Sequence, residues 1–101
     1  MSQVKINMNG DLYVIIKEID EDATLVSYRL SNGAELDFYN DELVQLVLPN
    51  FEAQLNRGSL LGLSIDLVDM KINDKKIILS IKIINDVINI TLDCSSIINK
   101  L

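Results

Sequence analysis

Carboxylates are the only side chains of this sequence whose type and spacing suggest chemistry. Four cluster around one predicted turn, and two more lie together further along the chain. They are Glu18, Asp20, Glu21, Asp22, Asp41 and Glu42. Paired carboxylates hydrolyse glycosidic bonds across a cleft, and clustered carboxylates bind calcium. A small carboxylate- or metal-dependent enzyme is therefore one alternative function.

Other catalytic and cofactor-binding groups are missing from the sequence. It contains no histidine, which removes the commonest general base and the usual zinc ligand. Its single cysteine, Cys94, has no histidine to activate it. The acidic clusters do not have the spacing of an EF-hand loop, and the four glycines are too scattered for a phosphate-binding loop. We therefore predict no catalytic residue, no metal and no cofactor.

The charge balance indicates which partners the chain could bind. Nine cationic side chains face fifteen anionic ones, so the net charge is −6. This charge disfavours direct binding to nucleic acid and to anionic membranes, and it permits a protein partner with a basic patch. The single cysteine and the absence of an apolar run after the first charged residues favour a cytoplasmic protein.

Turn signals and alternating apolar residues predict strands in both halves of the chain. Asn9-Gly10 is a strong hairpin signal, and alternation over residues 3–39 predicts a four-stranded meander. Alternation returns after Leu60 and predicts a three-stranded meander. A change of phase at Leu67-Val68 indicates either a β-bulge or a strand covered on different sides along its length.

Between the two strand regions, the apolar period changes to that of a helix. Leu43, Val47, Phe51 and Leu55 recur every four residues, which predicts a helix over residues 43–55. Asn40 is the predicted N-cap, and Asp41 and Glu42 would favour the positive end of the helix dipole. Pro49 would kink or split this helix. Leu46 falls on the exposed side, where it could contribute to a contact.

Together these patterns predict one α+β domain over residues 1–101. We expect a mostly antiparallel sheet of about seven strands packed on a single helix. The C-terminal hairpin contains an isoleucine-rich strand with few charges, and one of the hairpin's strands could form a sheet edge that invites pairing with another chain. Lys82, in the middle of one of these strands, could be the charge that blocks such pairing.

The predicted function is that of a small, acidic, non-enzymatic protein-binding module. An inhibitor, immunity or adaptor protein of bacterial or phage type, occupying a basic surface of its partner, would fit this description. The candidate contact residues are Glu18, Asp20, Glu21, Asp22, Asp41, Glu42 and Leu46. The first alternative is a structural homo-oligomer, for example a homodimer, that assembles through the C-terminal hairpin or the helix, and the small carboxylate- or metal-dependent enzyme is the second.

Overall fold

A computed structural model of the chain describes residues 3–56 and 58–96. These residues form antiparallel strands in two sheets and one short helix, so the broad α+β prediction holds. The elements are β1 (Gln3–Ile6), β2 (Leu12–Ile15), β3 (Val26–Arg29), β4 (Glu35–Tyr39), β5 (Glu42–Leu48), α1 (Phe51–Leu55), β6 (Ile65–Asn73), β7 (Lys76–Ile83) and β8 (Asp86–Asp93).

The first sheet has five strands in the order β1-β2-β5-β4-β3. Strands β1 and β2 form the hairpin predicted from Asn9-Gly10. The four-strand meander is wrong, however, because β2 pairs with β5 and not with β3. The fifth strand enters the middle of the sheet and separates the two N-terminal hairpins.

The predicted helix over residues 43–55 is also wrong, because most of its first half is strand β5. Val44, Leu46 and Leu48 are buried at every second position along this strand. Leu43 and Val47, like Val44 and Leu48, are also four residues apart, so the local pattern supports both structures. Hydrogen bonding to β2 on one side and β4 on the other decides for the strand. Pro49, which would cost about 3 kcal/mol inside a helix, lies after the strand has ended.

The predicted helix N-terminus is a hairpin turn between β4 and β5. Asn40 and Asp41 both have positive φ, 51° and 64°, as the central residues of a type I′ turn require. The helix that does form has five residues, and its Phe51 joins the core at 3% exposure. With five residues, α1 is too short to pack across a whole sheet as the predicted helix would. The sequence places Arg57 in the last turn of the predicted helix and allows a short helical turn within residues 95–101, but Arg57 and residues 97–101 lie outside the described residues.

The second sheet has three strands in the order β6-β7-β8. Its register shifts between Leu67 and Asp69, which confirms the predicted β-bulge next to Val68. Lys82 lies on β7, the central strand, so the prediction that its charge blocks pairing at a sheet edge is wrong. The two edge strands of this sheet are β6 and β8.

One hydrophobic cluster joins the inner faces of the two sheets. Every fully enclosed residue of β7 belongs to it, together with alternate residues of β2, β4 and β5. Strands β1 and β6, each at an edge of its own sheet, also lie against each other. The buried members of the cluster are Leu12, Val14, Leu30, Ala34, Leu36, Phe38, Leu46, Leu48, Phe51, Leu60, Ile77, Leu79, Ile81, Ile83, Leu92 and Cys94.

Candidate functional site

Both predicted acidic clusters lie at one end of the five-stranded sheet. This end is formed by the segment 16–25 between β2 and β3, together with the turn between β4 and β5. We call the carboxylates there the acidic end. It consists of Glu18, Asp20, Glu21, Asp22, Asp41 and Glu42, all of which are exposed.

Specific contacts attach the first acidic cluster to the sheet and to the second cluster. The backbone N–H groups of Ile16 and Lys17 donate to the carbonyl oxygen of Val44, at 2.9 and 3.2 Å. The Lys17 Nζ lies 3.2 Å from Glu42 Oε2, so one ion pair bridges the two segments. These contacts bring together carboxylates that are far apart in the sequence.

A shallow groove of about 360 Å³ lies beside the acidic end. Glu18 and Glu21 contribute to one part of its wall, and Lys5 and Lys17 provide positive charge. The remaining wall is mostly apolar: Ile15, Ile19, Leu25, Val44 and the side chain of Gln45. Since carboxylates, amines and apolar side chains all meet here, the groove suits a side chain with an aliphatic stem and a charged tip.

Leu46 does not belong to the acidic end. It is fully buried at 0% exposure and faces the core, opposite Val14 on β2 and Leu36 on β4. Its predicted exposure followed from the helix over residues 43–55 and was wrong with it. The six carboxylates therefore remain as the candidate contact residues, without Leu46.

Sequence reasoning missed a second pair of carboxylates, Glu35 and Asp37 on β4. Asp37 is only 2% exposed, and it accepts hydrogen bonds from Ser27 Oγ at 2.6 Å and Gln45 Nε2 at 2.8 Å. Burial raises the pKa of Glu35, and the hydrogen bond and negative charge of Asp37 raise it further, whereas Arg29 opposes the shift. Their i, i+2 spacing indicates a shared face of the strand, but nothing in the sequence indicates burial.

This carboxylate pair has the electrostatics of an acid–base site without its access. A carboxyl group with a raised pKa beside a carboxylate is typical of general acid catalysts. However, the oxygens of Asp37 are engaged by Ser27 and Gln45, and the residue is almost enclosed. Neither Glu35 nor Asp37 lines the groove beside the acidic end. The pair therefore serves to join β3, β4 and β5 on the outer face of the sheet.

A second groove, of about 230 Å³, runs along the inner side of β8. It is apolar, and its walls come from β8, from α1 and from the hairpin between β3 and β4. The lining residues are Asn32, Ala34, Leu48, Pro49, Phe51, Gln54, Leu55, Ile90 and Leu92. This groove belongs to the open side of the structure, opposite the side where β1 and β6 meet.

Within residues 3–56 and 58–96, no three His, Cys, Asp or Glu side chains converge as a metal site would require. Cys94 is buried and free, and burial together with the charge of Asp93 raises the pKa of its thiol. A thiol with a raised pKa forms less of the reactive thiolate. No helix in the described part of the chain is long and apolar enough to cross a membrane.

The chain shows no significant match to any protein-family model, to any curated protein or to any solved structure. Its function is therefore inferred from the geometry of its own residues.

Proposed function

We propose that this chain is a non-enzymatic protein-binding module that engages a basic surface of a partner protein through its acidic end. The observation that supports this proposal most directly is the gathering of six exposed carboxylates at one end of the five-stranded sheet. Lys17 pairs with one of them, Glu42, so the end retains a negative charge.

The physical consequence of this arrangement is electrostatic steering. Like charges concentrated on one end of a small protein produce a directed potential, which accelerates encounter with an oppositely charged surface. The adjacent groove has apolar walls, and its glutamates, Glu18 and Glu21, would accept the charged tip of a lysine or arginine side chain from that surface, although Lys5 and Lys17 also line it. An inhibitor, immunity or adaptor protein would act by occupying such a surface.

An enzymatic function gains no comparable support. Glu35, whose pKa is raised, lies beside Asp37, which is almost enclosed, and the acidic end holds no converging group of metal ligands among its described residues. We therefore do not extend the proposal to catalysis.

The proposal is tested by removing charge from the acidic end and, separately, from elsewhere. One variant carries D20N, E21Q and D22N, and a matched control carries D66N, D69N and D74N on the second sheet. All six residues are exposed, and each variant loses three negative charges. On a column of immobilised oligolysine, we expect the acidic-end variant to elute at lower salt than the wild type, and the control variant close to it.

The same pair of variants identifies the natural partner. Proteins from the host that bind the wild type and the control variant, but not the acidic-end variant, would be retained through this surface. Their release by salt would follow from screening, because the Debye length falls to about 3 Å at 1 M salt. If both variants elute from oligolysine at the same salt, only net charge matters and the proposed surface is wrong.

A further inference from the structure

Strand β8 is a sheet edge, and among residues 3–56 and 58–96 no other strand pairs with its outer side. Between its terminal residues Asp86 and Asp93, the segment 87–92 contains no charge, no proline and no glycine, and its ladder with β7 is regular. Natural proteins usually protect an edge with charges, prolines or bulges, because its free backbone groups pair readily with another strand. Such an edge on a short sheet needs a partner or a cover.

The register of the hairpin defines which backbone groups of β8 point outward. The Cys94 N–H donates to the Lys75 carbonyl at 2.8 Å, so residues 86, 88, 90 and 92 also bond to β7 in the alternating antiparallel pattern. The intervening residues direct their N–H and C=O groups away from β7. Those residues are Val87, Asn89, Thr91 and Asp93.

We propose that β8 pairs with β8 of a second copy of this chain, antiparallel, to form a continuous sheet of six strands across a two-fold axis. The register that uses all four outward-facing residues places Val87 opposite the second copy's Asp93 and Asn89 opposite its Thr91. Neighbouring registers leave one outward-facing residue of each strand without a strand partner. In the proposed register the two Ile90 residues face each other at the axis.

The charges of β8 favour a second copy over a basic partner strand. Its central segment 87–92 offers no carboxylate to a cationic strand, whereas the proposed register places Asp93 opposite an uncharged valine and Asp86 opposite Cys94. Like charges directly opposite each other are therefore avoided throughout the paired strands, as stable cross-strand pairing requires.

The apolar groove along β8 also favours pairing with a second copy. An added strand places every second side chain on the inner face, beside Ile90 and Leu92, which line this groove. In the proposed register these neighbours are Ile90 and Ile88 of the second copy. Both are apolar, so pairing of the edges also covers the apolar walls formed by Leu48, Phe51 and Leu55.

Two equally exposed valines provide a matched test, because Val87 lies on β8 and Val68 lies on β6, with exposures of 56% and 57%. V87D would face the second copy's Asp93 across each of two symmetric pairs, while inside its own chain it would lie beside Lys82. We expect V87D to weaken the dimer about fivefold and V68D to leave it unchanged. Sedimentation equilibrium of the full chain over a range of concentrations measures both, with circular dichroism as the check of folding.

The register is tested by cross-linking under mild oxidation. I90C would place two thiols at the axis, about 4.5 Å apart between Cα atoms, which suits a disulfide. V87C is the control, because its two copies would lie about 20 Å apart along the strands. We expect a covalent dimer for I90C only. A covalent dimer for V87C instead, or a wild-type chain that stays monomeric at all concentrations, would overturn the proposal.

Salt separates this proposal from the protein-binding function of the acidic end. Two copies that each carry a charge of −6 repel, so added salt should tighten the β8 dimer while it weakens retention on oligolysine. If only the dimer responds to salt as expected, the acidic end is wrong as the binding surface. If only retention on oligolysine responds as expected, pairing through β8 is wrong. A dimer that dissociates with rising salt would contradict edge pairing.

Discussion

Strands β6 and β8 flank the same central strand, yet only β6 carries features that prevent edge pairing. β6 contains a bulge next to Val68 and three charged residues with exposed side chains. A neighbouring strand, β1, also lies against it. β8 is regular, and its charges are confined to its ends. The charged residues of β6 are Asp66, Asp69 and Lys71, and Lys71 Nζ lies 3.7 Å from Asp69 Oδ2.

The two edges of this small sheet therefore differ in what would prevent aggregation: features of the strand itself at β6, and the proposed second copy at β8. Both edges expose backbone groups, so both would aggregate if nothing prevented it. Charges and a bulge prevent it at β6 without any second chain. At β8 the same protection is absent, and pairing with a second copy would satisfy the edge instead. The two edges therefore predict opposite responses to the same kinds of substitution.

The largest effect is expected from the strand that both edges share. Leu79 is fully buried on β7, between Met70 on β6 and Ile90 on β8. We expect L79A to cost about 2–5 kcal/mol of the free energy of unfolding, because it leaves a cavity beneath both edges. Urea denaturation measures the loss, and hydrogen exchange should show that β6 and β8 lose protection together. A loss confined to one edge would contradict a shared core.

The next effect comes from making β6 resemble β8. A chain that lacks Val68 and carries D69N and K71T has a regular, less charged β6 edge. With two unprotected edges per chain, we expect open-ended association beyond the dimer. Light scattering should show particle size rising with concentration. The control keeps Val68 and carries only the two substitutions; a variant that remains dimeric would show that β1 alone protects β6.

A smaller effect is expected at the turn that leads into β8. Ile84 has a φ of 57°, which β-branched residues rarely adopt, and it is 53% exposed. Glycine adopts this conformation without strain, so I84G should raise the free energy of unfolding by up to about 1 kcal/mol. The control is N85G, at a turn position without positive φ, which should not stabilise the chain. Destabilisation by I84G would indicate that the exposed isoleucine makes a contact that outweighs the strain.

The smallest effect concerns pH at the end of β8. Asp93 accepts hydrogen bonds from the Ser95 hydroxyl at 2.6 Å and the Ser95 N–H at 3.0 Å, which lower the pKa of this carboxyl group. Its contribution to stability is therefore present above the ordinary pKa of an aspartate, near 3.8, and is lost as pH falls through the lowered value. In an acid titration followed by circular dichroism, D93N should lose its folded-state stability slightly less steeply than the wild type as pH falls. Identical titrations would mean that the Ser95 contacts add nothing.

Several local features were predictable because neighbouring residues in the chain determine them. The Asn9-Gly10 hairpin follows from residues that tolerate positive φ, and the β-bulge follows from a change of phase at Leu67-Val68. The acidic clusters were also evident from composition and spacing. That both clusters lie at one end of a sheet was not, since the Lys17–Glu42 ion pair joins residues separated by a whole hairpin.

The sequence by itself determined the Asn9-Gly10 hairpin, the return of strands after Leu60, the net charge and the absence of histidine. Only the tertiary structure decided that residues 42–48 form a strand, because Leu43, Val44, Val47 and Leu48 also have helical spacing. Two neighbouring strands supply hydrogen bonds on both sides of β5, and no local pattern encodes those partners. Burial of Asp37 and exposure of the β8 edge have the same origin, because each depends on which strands lie alongside in space.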